Sequence, residues 1–253
     1  MLSANQQKFL TSLSIKKYRQ KYRKFVVEGD KMVVELLSQQ YFTPNELHAT
    51  ERWAEENRNL LRGFLDKFNV VTEAELKKIS SLSTPNQVLA VVDMPDTEPE
   101  PALAMQDFCF FADGIQDPGN LGTLLRIADW FGMPAVFCAP DTVDAYSPKV
   151  IQASMGAFLR IKTAEIALKD LLATEPGLPV CGAVLGGENL FTAQLPEYGL
   201  LVIGREGRGV SAETERMLSH HLTIPKHPNG SAESLNAGVA AGILAAVVRN
   251  RVS

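Results

Sequence analysis

The sequence predicts an α/β protein in which a small mixed domain precedes a larger domain built on a parallel sheet. A composition break at residues 94–104, "MPDTEPEPALA", is rich in proline and acidic residues and separates the two parts. After the break, short apolar runs alternate with amphipathic segments, a pattern typical of parallel strands with covering helices. Polar loops follow several of these runs, and such sheets bind ligands at the carboxyl ends of their strands.

Residues 1–95 form the predicted first domain. Its apolar pieces "KFVVEG" and "KMVVELL" and the strand-like run "QVLAVVDM" indicate a small mixed α/β core. Residues 96–104 have little to bury and are interpreted as a linker. Residues 105–253 form the predicted second domain.

The second domain is predicted to be a doubly wound α/β sheet. Clusters of β-forming apolar residues predict strands at 108–112, 135–138, 180–185, 200–203 and 221–224. Between and after them, helical periodicity predicts helices at about 121–131, 148–159, 166–173, 211–219 and 234–250.

Overall composition bounds the class of protein. The 253 residues are 45% hydrophobic and 21% charged, as in ordinary globular proteins. Apolar runs stay well below the ~20 residues that cross a membrane, and the N-terminus is too polar for a secretory signal, so we expect a cytoplasmic protein. The cysteines Cys109, Cys138 and Cys181 lie in apolar runs and are predicted to be buried thiols. The histidine spacing predicts no metal site.

Basic charge is concentrated near the N-terminus, although the net charge of the whole chain is -4. Residues 1–35 carry eight Lys or Arg against three acidic residues. This local excess is compatible with phosphate binding, but charge alone favours a solvated helix face.

The first polar loop lies in "DGIQDPGNLGTLLRIADWFG", residues 113–132. The helix that follows has an apolar face at helical spacing, formed by Leu121, Leu124, Leu125 and Ala128. Asp117 or Asn120 is suited to begin this helix, because Asp and Asn cap helix N-termini. Arg126 lies off the apolar face and can reach a ligand, although alone it also fits a surface charge.

The second polar loop lies in "GLLVIGREGRGVS", residues 199–211. Its glycines allow a ligand to approach the backbone closely. The spacing is G-x-x-G-x-G rather than the G-x-G-x-x-G of dinucleotide-binding folds, which disfavours a nicotinamide oxidoreductase. Glu206, between two glycines, is placed to contact a hydroxyl-bearing or cationic ligand.

The third polar loop lies in "LTIPKHPNGSAESLNAGVAAGILAAVVRNR", residues 222–251. Ser234 or Asn236 is suited to cap the helix that follows, but capping accounts for one of them and not for both. The small residues of this helix allow close approach of another helix or of a second subunit.

Taken together and in this order, the three stretches resemble the three motifs of the SpoU (TrmH-like) family of RNA ribose 2′-O-methyltransferases, in the SPOUT superfamily. The N-terminal "KYRKFVVEGDKMVVELL" is similar to the start of the L30e-like substrate-binding domain of many members. The resemblance implies an α/β domain with a trefoil knot, S-adenosylmethionine as cofactor, and a homodimer with its active site near the subunit interface.

Site residues follow from the resemblance by position. It implies cofactor contacts at Gly204, Ile224 and Leu235. It implies a catalytic set of Arg126, Asn120, Glu206, Ser234 and Asn236. A ribose 2′-hydroxyl is a poor nucleophile, so groups that orient it and stabilise developing negative charge suit this chemistry. Lys226 and the long segment 224–235 depart from the usual pattern near the cofactor.

The resemblance also favours RNA as the partner of the basic N-terminus. The expected RNA contacts are Lys16, Lys17, Arg19, Lys21, Arg23 and Lys24, whereas Phe25 is expected in the core. The predicted function is S-adenosylmethionine-dependent 2′-O-methylation of structured RNA, with ribosomal RNA favoured over transfer RNA. The alternative is a non-catalytic RNA-binding or ribosome-assembly protein that keeps the fold.

Overall fold

The computed structural model describes residues 2–96 and 98–252, which divide into two units. The first unit consists of the chain up to Asp96 together with Tyr146–Leu159. The second unit consists of the described residues from 98 to Ala145 and from Arg160 onward. The chain thus changes units near the predicted linker, but the assignment of Tyr146–Leu159 to the first unit was not predicted.

The described residues contain the following helices and strands. The helices are α1 (Ala4–Ser12), α2 (Lys16–Tyr22), α3 (Asp30–Ser38), α4 (Glu51–Glu56), α5 (Arg58–Leu61), α6 (Glu73–Ile79), α7 (Pro118–Trp130), α8 (Pro148–Ser154), α9 (Leu168–Thr174), α10 (Ala212–Glu215) and α11 (Ala237–Val252). The strands are β1 (Lys24–Glu28), β2 (Pro44–Ala49), β3 (Phe68–Val70), β4 (Val88–Asp93), β5 (Phe108–Ala112), β6 (Ala135–Cys138), β7 (Lys162–Glu165), β8 (Val180–Asn189), β9 (Gly199–Ile203) and β10 (His220–Thr223). Short 3-10 turns lie at Leu65–Lys67, Pro101–Met105 and Ala157–Leu159.

The first unit is built on a four-stranded mixed sheet of order β1-β4-β2-β3. Strand β4 pairs antiparallel with β1 and β2, and β3 pairs parallel with β2. The predicted apolar pieces account for this core, since they form β1, α3 and the central strand β4.

An aromatic cluster in the first unit includes side chains from Tyr146–Leu159. The ring of Phe25 lies 4.7 Å from that of Tyr146, and the ring of Phe42 lies 5.8 Å from that of Phe158, measured between centroids. Phe25 is fully buried, which confirms its predicted core position. The segment Tyr146–Leu159 therefore contributes to the core of the first unit.

The second unit is built on a six-stranded sheet of order β10-β8-β9-β5-β6-β7. All of these neighbouring strands pair in parallel, as predicted. The five predicted strands are present, and β7 was missed because Lys162–Glu165 is short, polar and only partly buried. The predicted linker is also folded in part, since Ala104 is fully buried in the core of this unit.

Two polar contacts fix the ends of α11, which packs on α7. At its start, Asn236 Oδ1 accepts the N–H groups of Gly238 and Val239, so the helix begins at Ala237, three residues later than predicted. Near its end, Arg249 donates two hydrogen bonds to the carboxylate of Asp107, at 2.6 and 2.9 Å. Such a bidentate pair fixes orientation as well as position.

The three cysteine side chains are buried in the second unit, as predicted. Burial raises the pKa of each thiol, Cys109, Cys138 and Cys181, to about 12. The thiolate is the reactive form, so these groups are expected to be inert at neutral pH.

Candidate active site

The three motif loops begin at the same edge of the parallel sheet. Strand β5 leads into the first loop and α7, β9 into the second loop and α10, and β10 into the third loop and α11. Because parallel strands share a direction, their carboxyl ends meet at one edge, where ligands bind in open α/β sheets.

The second motif loop is a tight hairpin. The backbone N–H of Arg205 donates to the carbonyl of Gly209 and the reverse bond is also made, both at 2.9 Å. Gly207 and Gly209 have φ of 71° and 67°, which favour glycine. A side chain at Gly204 would place its Cβ 2.1 Å from the carbonyl carbon of Gly209. Closure of the hairpin therefore requires glycine at position 204.

One side-chain amide joins the three motifs. Asn236 Nδ2 donates to Asn120 Oδ1 at 2.9 Å and to Glu206 Oε1 at 2.5 Å. Its Oδ1 meanwhile caps α11, so the orientation of the amide is determined from both ends. We call Asn120, Glu206 and Asn236 the three-motif cluster. The structure thus brings together three of the five predicted catalytic residues.

Asn120 is held at the start of α7. The side chain of Asp117 caps this helix by accepting the Asn120 N–H at 2.9 Å, and Pro118 occupies the first helical position. Asp117 rather than Asn120 is thus the cap, which leaves the Asn120 amide available to the cluster. Asn120 is buried.

Arg126 is on the same helix but does not reach the three-motif cluster. It follows Asn120 by six residues, which is about 240° around the helix and about 9 Å along its axis. Its side chain is exposed and makes no hydrogen bond or ion pair with the residues that the structure describes.

The third loop is exposed from residue 225 to Asn236. Ser234 makes no hydrogen bond within the described part of the chain, and Leu235 is 46% exposed. Ile224, directly after β10, is half-buried. From Ile224 to Leu235, the one backbone–backbone bond among described residues runs from the Gly230 N–H to the His227 carbonyl, so most backbone groups here are available to a ligand.

Sequence reasoning missed a buried carboxylate that anchors the second loop. Asp113 follows β5 directly and accepts hydrogen bonds from the Ser211 backbone N–H at 2.6 Å and from the Thr214 hydroxyl at 2.9 Å. The signal was an aspartate placed immediately after the apolar run "FCFFA". A buried carboxylate needs such partners, and here they fix the position of the loop.

A second missed contact lies on the other side of the hairpin. The Arg205 guanidinium pairs with the Asp141 carboxylate in the loop after β6. Gly114 provides the space, because a Cβ there would lie 2.5 Å from Arg205 Nε. Only the glycine at position 114 was visible in the sequence as a hint of this close approach.

A cleft of about 310 Å³ opens beside the three-motif cluster. This volume is at the lower end of ligand pockets, which span roughly 300–1,000 Å³. Its lining residues come from all three motifs and are Ile115, Gln116, Asp117, Asn120, Arg205, Glu206, Arg208 and Ala237.

The predicted RNA contacts of the first unit lie on and beside α2. Lys16, Lys17, Lys21 and Arg23 are exposed, and we call these four side chains the basic surface. Lys24 is partly buried and pairs with Asp93.

Arg19 requires a correction. It was predicted to contact RNA, but it is only 2% exposed, and its guanidinium donates to the Leu13 carbonyl at 2.8 Å. Charge counting cannot tell a buried arginine from an exposed one, because both contribute equally to the local excess.

Comparison with known proteins identifies the family. Residues 107–246 match the model of the SpoU rRNA Methylase family, and residues 5–90 match that of the MRM3-like substrate binding domain. The chain belongs to the SpoU rRNA methylase family. The predicted family and the substrate-binding character of its first part are thus confirmed.

SpoU-family relatives cover most of the chain. It is 34% identical to the 23S rRNA (guanosine(2553)-2'-O)-methyltransferase RlmP of Bacillus subtilis, over 92% of this chain and 91% of that protein. It is 26% identical to the 23S rRNA (guanosine-2'-O-)-methyltransferase RlmB of Neisseria meningitidis, over 79% and 80% of the two chains.

Solved structures agree with the SpoU assignment. A TrmH-family protein from Porphyromonas gingivalis is 41% identical, with a TM-score of 0.89 over 99% of both chains. An AdoMet-bound rRNA methyltransferase from Sinorhizobium meliloti, at 24% identity, shares the fold with a TM-score of 0.87 over 100% and 98% of the chains. The predicted fold class is therefore confirmed. Among the described residues, no helix combines the length and apolar character of a membrane span.

Proposed function

We propose that this SpoU-family protein transfers a methyl group from S-adenosylmethionine to a ribose 2′-hydroxyl of ribosomal RNA. Family membership and the activities in the names of its relatives support this reaction. The observation that carries it is the Asn236 amide, which joins Asn120 and Glu206 beside a cleft at the carboxyl ends of the strands. A non-catalytic protein would not require this shared geometry.

The residues at the strand ends fit S-adenosylmethionine. Gly204 directly follows β9 and has no side chain, and the segment from Ile224 to Leu235 carries backbone groups with few internal partners. A cofactor recognised largely through backbone groups suits such a segment, so Gly204, Ile224 and Leu235 are its proposed contacts. When bound, S-adenosylmethionine supplies a methyl group on a positively charged sulfur, a leaving group that needs neither a proton nor a metal.

The three-motif cluster would hold the ribose. The side-chain oxygens of Glu206 can accept a hydrogen bond from a hydroxyl, and the Asn120 and Asn236 amides fix where that hydroxyl lies. Orientation matters because in-line transfer requires the attacking oxygen to lie close to the methyl carbon. Arg126 would orient the nucleotide and stabilise negative charge that develops on the 2′-oxygen. Ser234 belongs to the same proposed catalytic set and would help to orient the nucleotide.

We also infer a homodimer and, from membership of the SpoU family, a knotted C-terminal segment. The exposure of Arg126 supports a site completed by a second copy, since within one chain this side chain lies away from the cluster. Trp130, at the end of α7, is 85% exposed, and a large exposed apolar side chain favours an interface. Light scattering should give twice the chain mass, and Trp130→Arg should give one chain mass if α7 forms the interface.

The first domain, residues 1–95, is proposed to bind the RNA through the basic surface. Its cations can neutralise backbone phosphates without reading sequence, as expected for recognition of a structured RNA. Ribosomal RNA is favoured over transfer RNA because the relatives above are named for 23S rRNA. The proposed location is the cytoplasm, where this substrate would be met.

One experiment tests the reaction directly. The full-length protein is incubated with tritiated S-adenosylmethionine and unmodified 23S rRNA transcribed in vitro, with transfer RNA transcripts in a parallel reaction. The RNA is then digested to nucleosides and separated. Label in a 2′-O-methylnucleoside from 23S rRNA is the expected result. Label on a base, or label confined to transfer RNA, would contradict the proposal.

The same preparation distinguishes the non-catalytic alternative. Binding of S-adenosylhomocysteine is measured by calorimetry, with NAD as the negative control. RNA binding without cofactor binding or methyl transfer would favour an assembly role. Cofactor binding without transfer to naked RNA would call for pre-ribosomal particles as the substrate.

A further inference from the structure

Arg208 lines the cleft, and its positive charge has no partner among the residues that the structure describes. Four cleft-lining side chains are charged, namely Asp117, Arg205, Glu206 and Arg208. The first three have partners: Asp117 caps α7, Glu206 binds Asn236, and Arg205 pairs with Asp141. Arg208 is exposed and makes no hydrogen bond or ion pair with the residues that the structure describes.

The hydrogen-bonded hairpin fixes the position of the Arg208 backbone. It belongs to the hairpin closed by the paired bonds between Arg205 and Gly209, and it follows Glu206 by two residues. The base of the hairpin is anchored by the hydrogen bonds of Asp113 to Ser211. An exposed cation therefore extends from a hydrogen-bonded hairpin that also carries Glu206, a member of the three-motif cluster.

We propose that Arg208 binds a backbone phosphate of the RNA, next to the ribose that receives the methyl group. This inference rests on the proposed function, which places that ribose at Asn120, Glu206 and Asn236. In RNA, the carbon next to the one that bears the 2′-hydroxyl carries the 3′-phosphate, so a ribose at the cluster brings a phosphate close to it. The planar guanidinium matches phosphate oxygens with two parallel hydrogen bonds.

Arg208 is thus a substrate-binding residue rather than a group that acts on the methyl transfer. The nearby Arg205 has a different role. Asp141 already compensates the charge of Arg205, and the Arg205 side chain packs against Gly114. Arg205 positions the hairpin, and Arg208 remains available for an anion. S-adenosylmethionine also carries a carboxylate, which is a second candidate anion for Arg208, so the test separates the two.

The test measures RNA binding and cofactor binding separately. The full-length wild type, Arg208→Gln, Arg208→Lys and the control Arg216→Gln are compared. Arg216 is an exposed arginine eight residues further along the chain and is not part of the cleft lining. Affinity for the unmodified 23S rRNA transcript is measured by filter binding at several KCl concentrations, and affinity for S-adenosylhomocysteine by calorimetry.

Arg208→Gln should weaken RNA binding about tenfold and lower the slope of log K against log[KCl] by about one, as expected for one lost phosphate contact. Arg208→Lys should keep the slope and recover part of the affinity. Arg216→Gln should match the wild type, and all variants should bind S-adenosylhomocysteine as the wild type does.

Three results would overturn the proposal. They are an unchanged RNA affinity and slope in Arg208→Gln, a selective loss of S-adenosylhomocysteine binding in that variant, and a wild type that does not bind the transcript. Failure of the proposed function has a different signature. The wild type would then bind RNA and transfer no methyl group, while the slope difference would still decide whether Arg208 contacts phosphate.

Discussion

The three-motif cluster and the basic surface solve different problems with different chemistry. In the cluster, Asn236 makes hydrogen bonds to residues from the two other motifs, so the relative positions of three side chains are fixed. In the basic surface, the side chains of Lys17 and Lys21 extend into solvent from a single short helix. Chemistry on one hydroxyl needs fixed geometry, whereas attraction of a long polyanion needs only charge in the right region.

This contrast predicts which variants change turnover and which change affinity. The largest effect is expected for Arg126→Ala, with a fall in kcat on the order of 10³-fold, because a cation that stabilises developing charge is removed. Steady-state transfer to saturating 23S rRNA measures this fall in kcat. Affinity for S-adenosylhomocysteine should remain within about twofold, and Arg126→Lys serves as the variant that retains the charge. Loss of cofactor binding in Arg126→Ala would count against the role given to this residue.

The next effect is expected for Asn236→Asp, with kcat lowered on the order of 10²-fold. The aspartate still caps α11 but cannot donate to Asn120 and Glu206, and it adds a second carboxylate beside Glu206. The matched control is Asn59→Asp, the same change at an exposed position of α5, where we expect kcat to be unchanged. Equal losses in the two variants would mean that the added negative charge, and not the lost amide donor, lowers kcat.

A smaller effect is expected when the basic surface is neutralised. The double variant Lys17→Gln/Lys21→Gln should raise KM for 23S rRNA about five- to tenfold with kcat unchanged, because each lysine contributes to phosphate attraction. The control is Lys77→Gln/Lys78→Gln on α6, which removes the same charge from exposed positions of the same unit. Similar behaviour of the two double variants would show that net charge alone matters, not the surface around α2.

The smallest effect concerns the thiols, which belong to neither region. Their pKa values are raised by burial to about 12, so at pH 7–8 the folded protein should show almost no reaction with a chromogenic disulfide reagent. Denaturant should expose three reactive thiols per chain. Rapid reaction of the native protein would indicate that the core of the second unit opens locally.

The same contrast explains what the sequence could predict. The strands β5 and β9 were predicted correctly because their apolar runs are buried on both faces, whereas the polar edge strand β7 carries no such pattern. The residues of the cluster could be named in advance because the three stretches that contain them resemble the motifs of the SpoU family. Their mutual bonds could not, because Asn236 and Asn120 are 116 residues apart in sequence.

The sequence also did not show which charged side chains are buried or which of them form pairs. Arg19 has the same charge as its neighbours, and only the fold shows that its guanidinium is bound to a backbone carbonyl. The partnership of Arg205 with Asp141 likewise depends on two loops that meet only in the folded chain. Single-sequence reasoning assigns residue types to segments, and it does not determine which distant segments meet.

The aromatic cluster around Phe25 has a consequence for recombination between relatives. Two of its rings, those of Tyr146 and Phe158, are encoded within the stretch that matches the SpoU model, yet they belong to the first unit. A chimaera joined at residue 95 would therefore combine foreign N-terminal residues with the native Tyr146–Leu159 in the core of one unit. Grafts that exchange Tyr146–Leu159 along with the N-terminal residues should be produced in soluble form more often than grafts that do not.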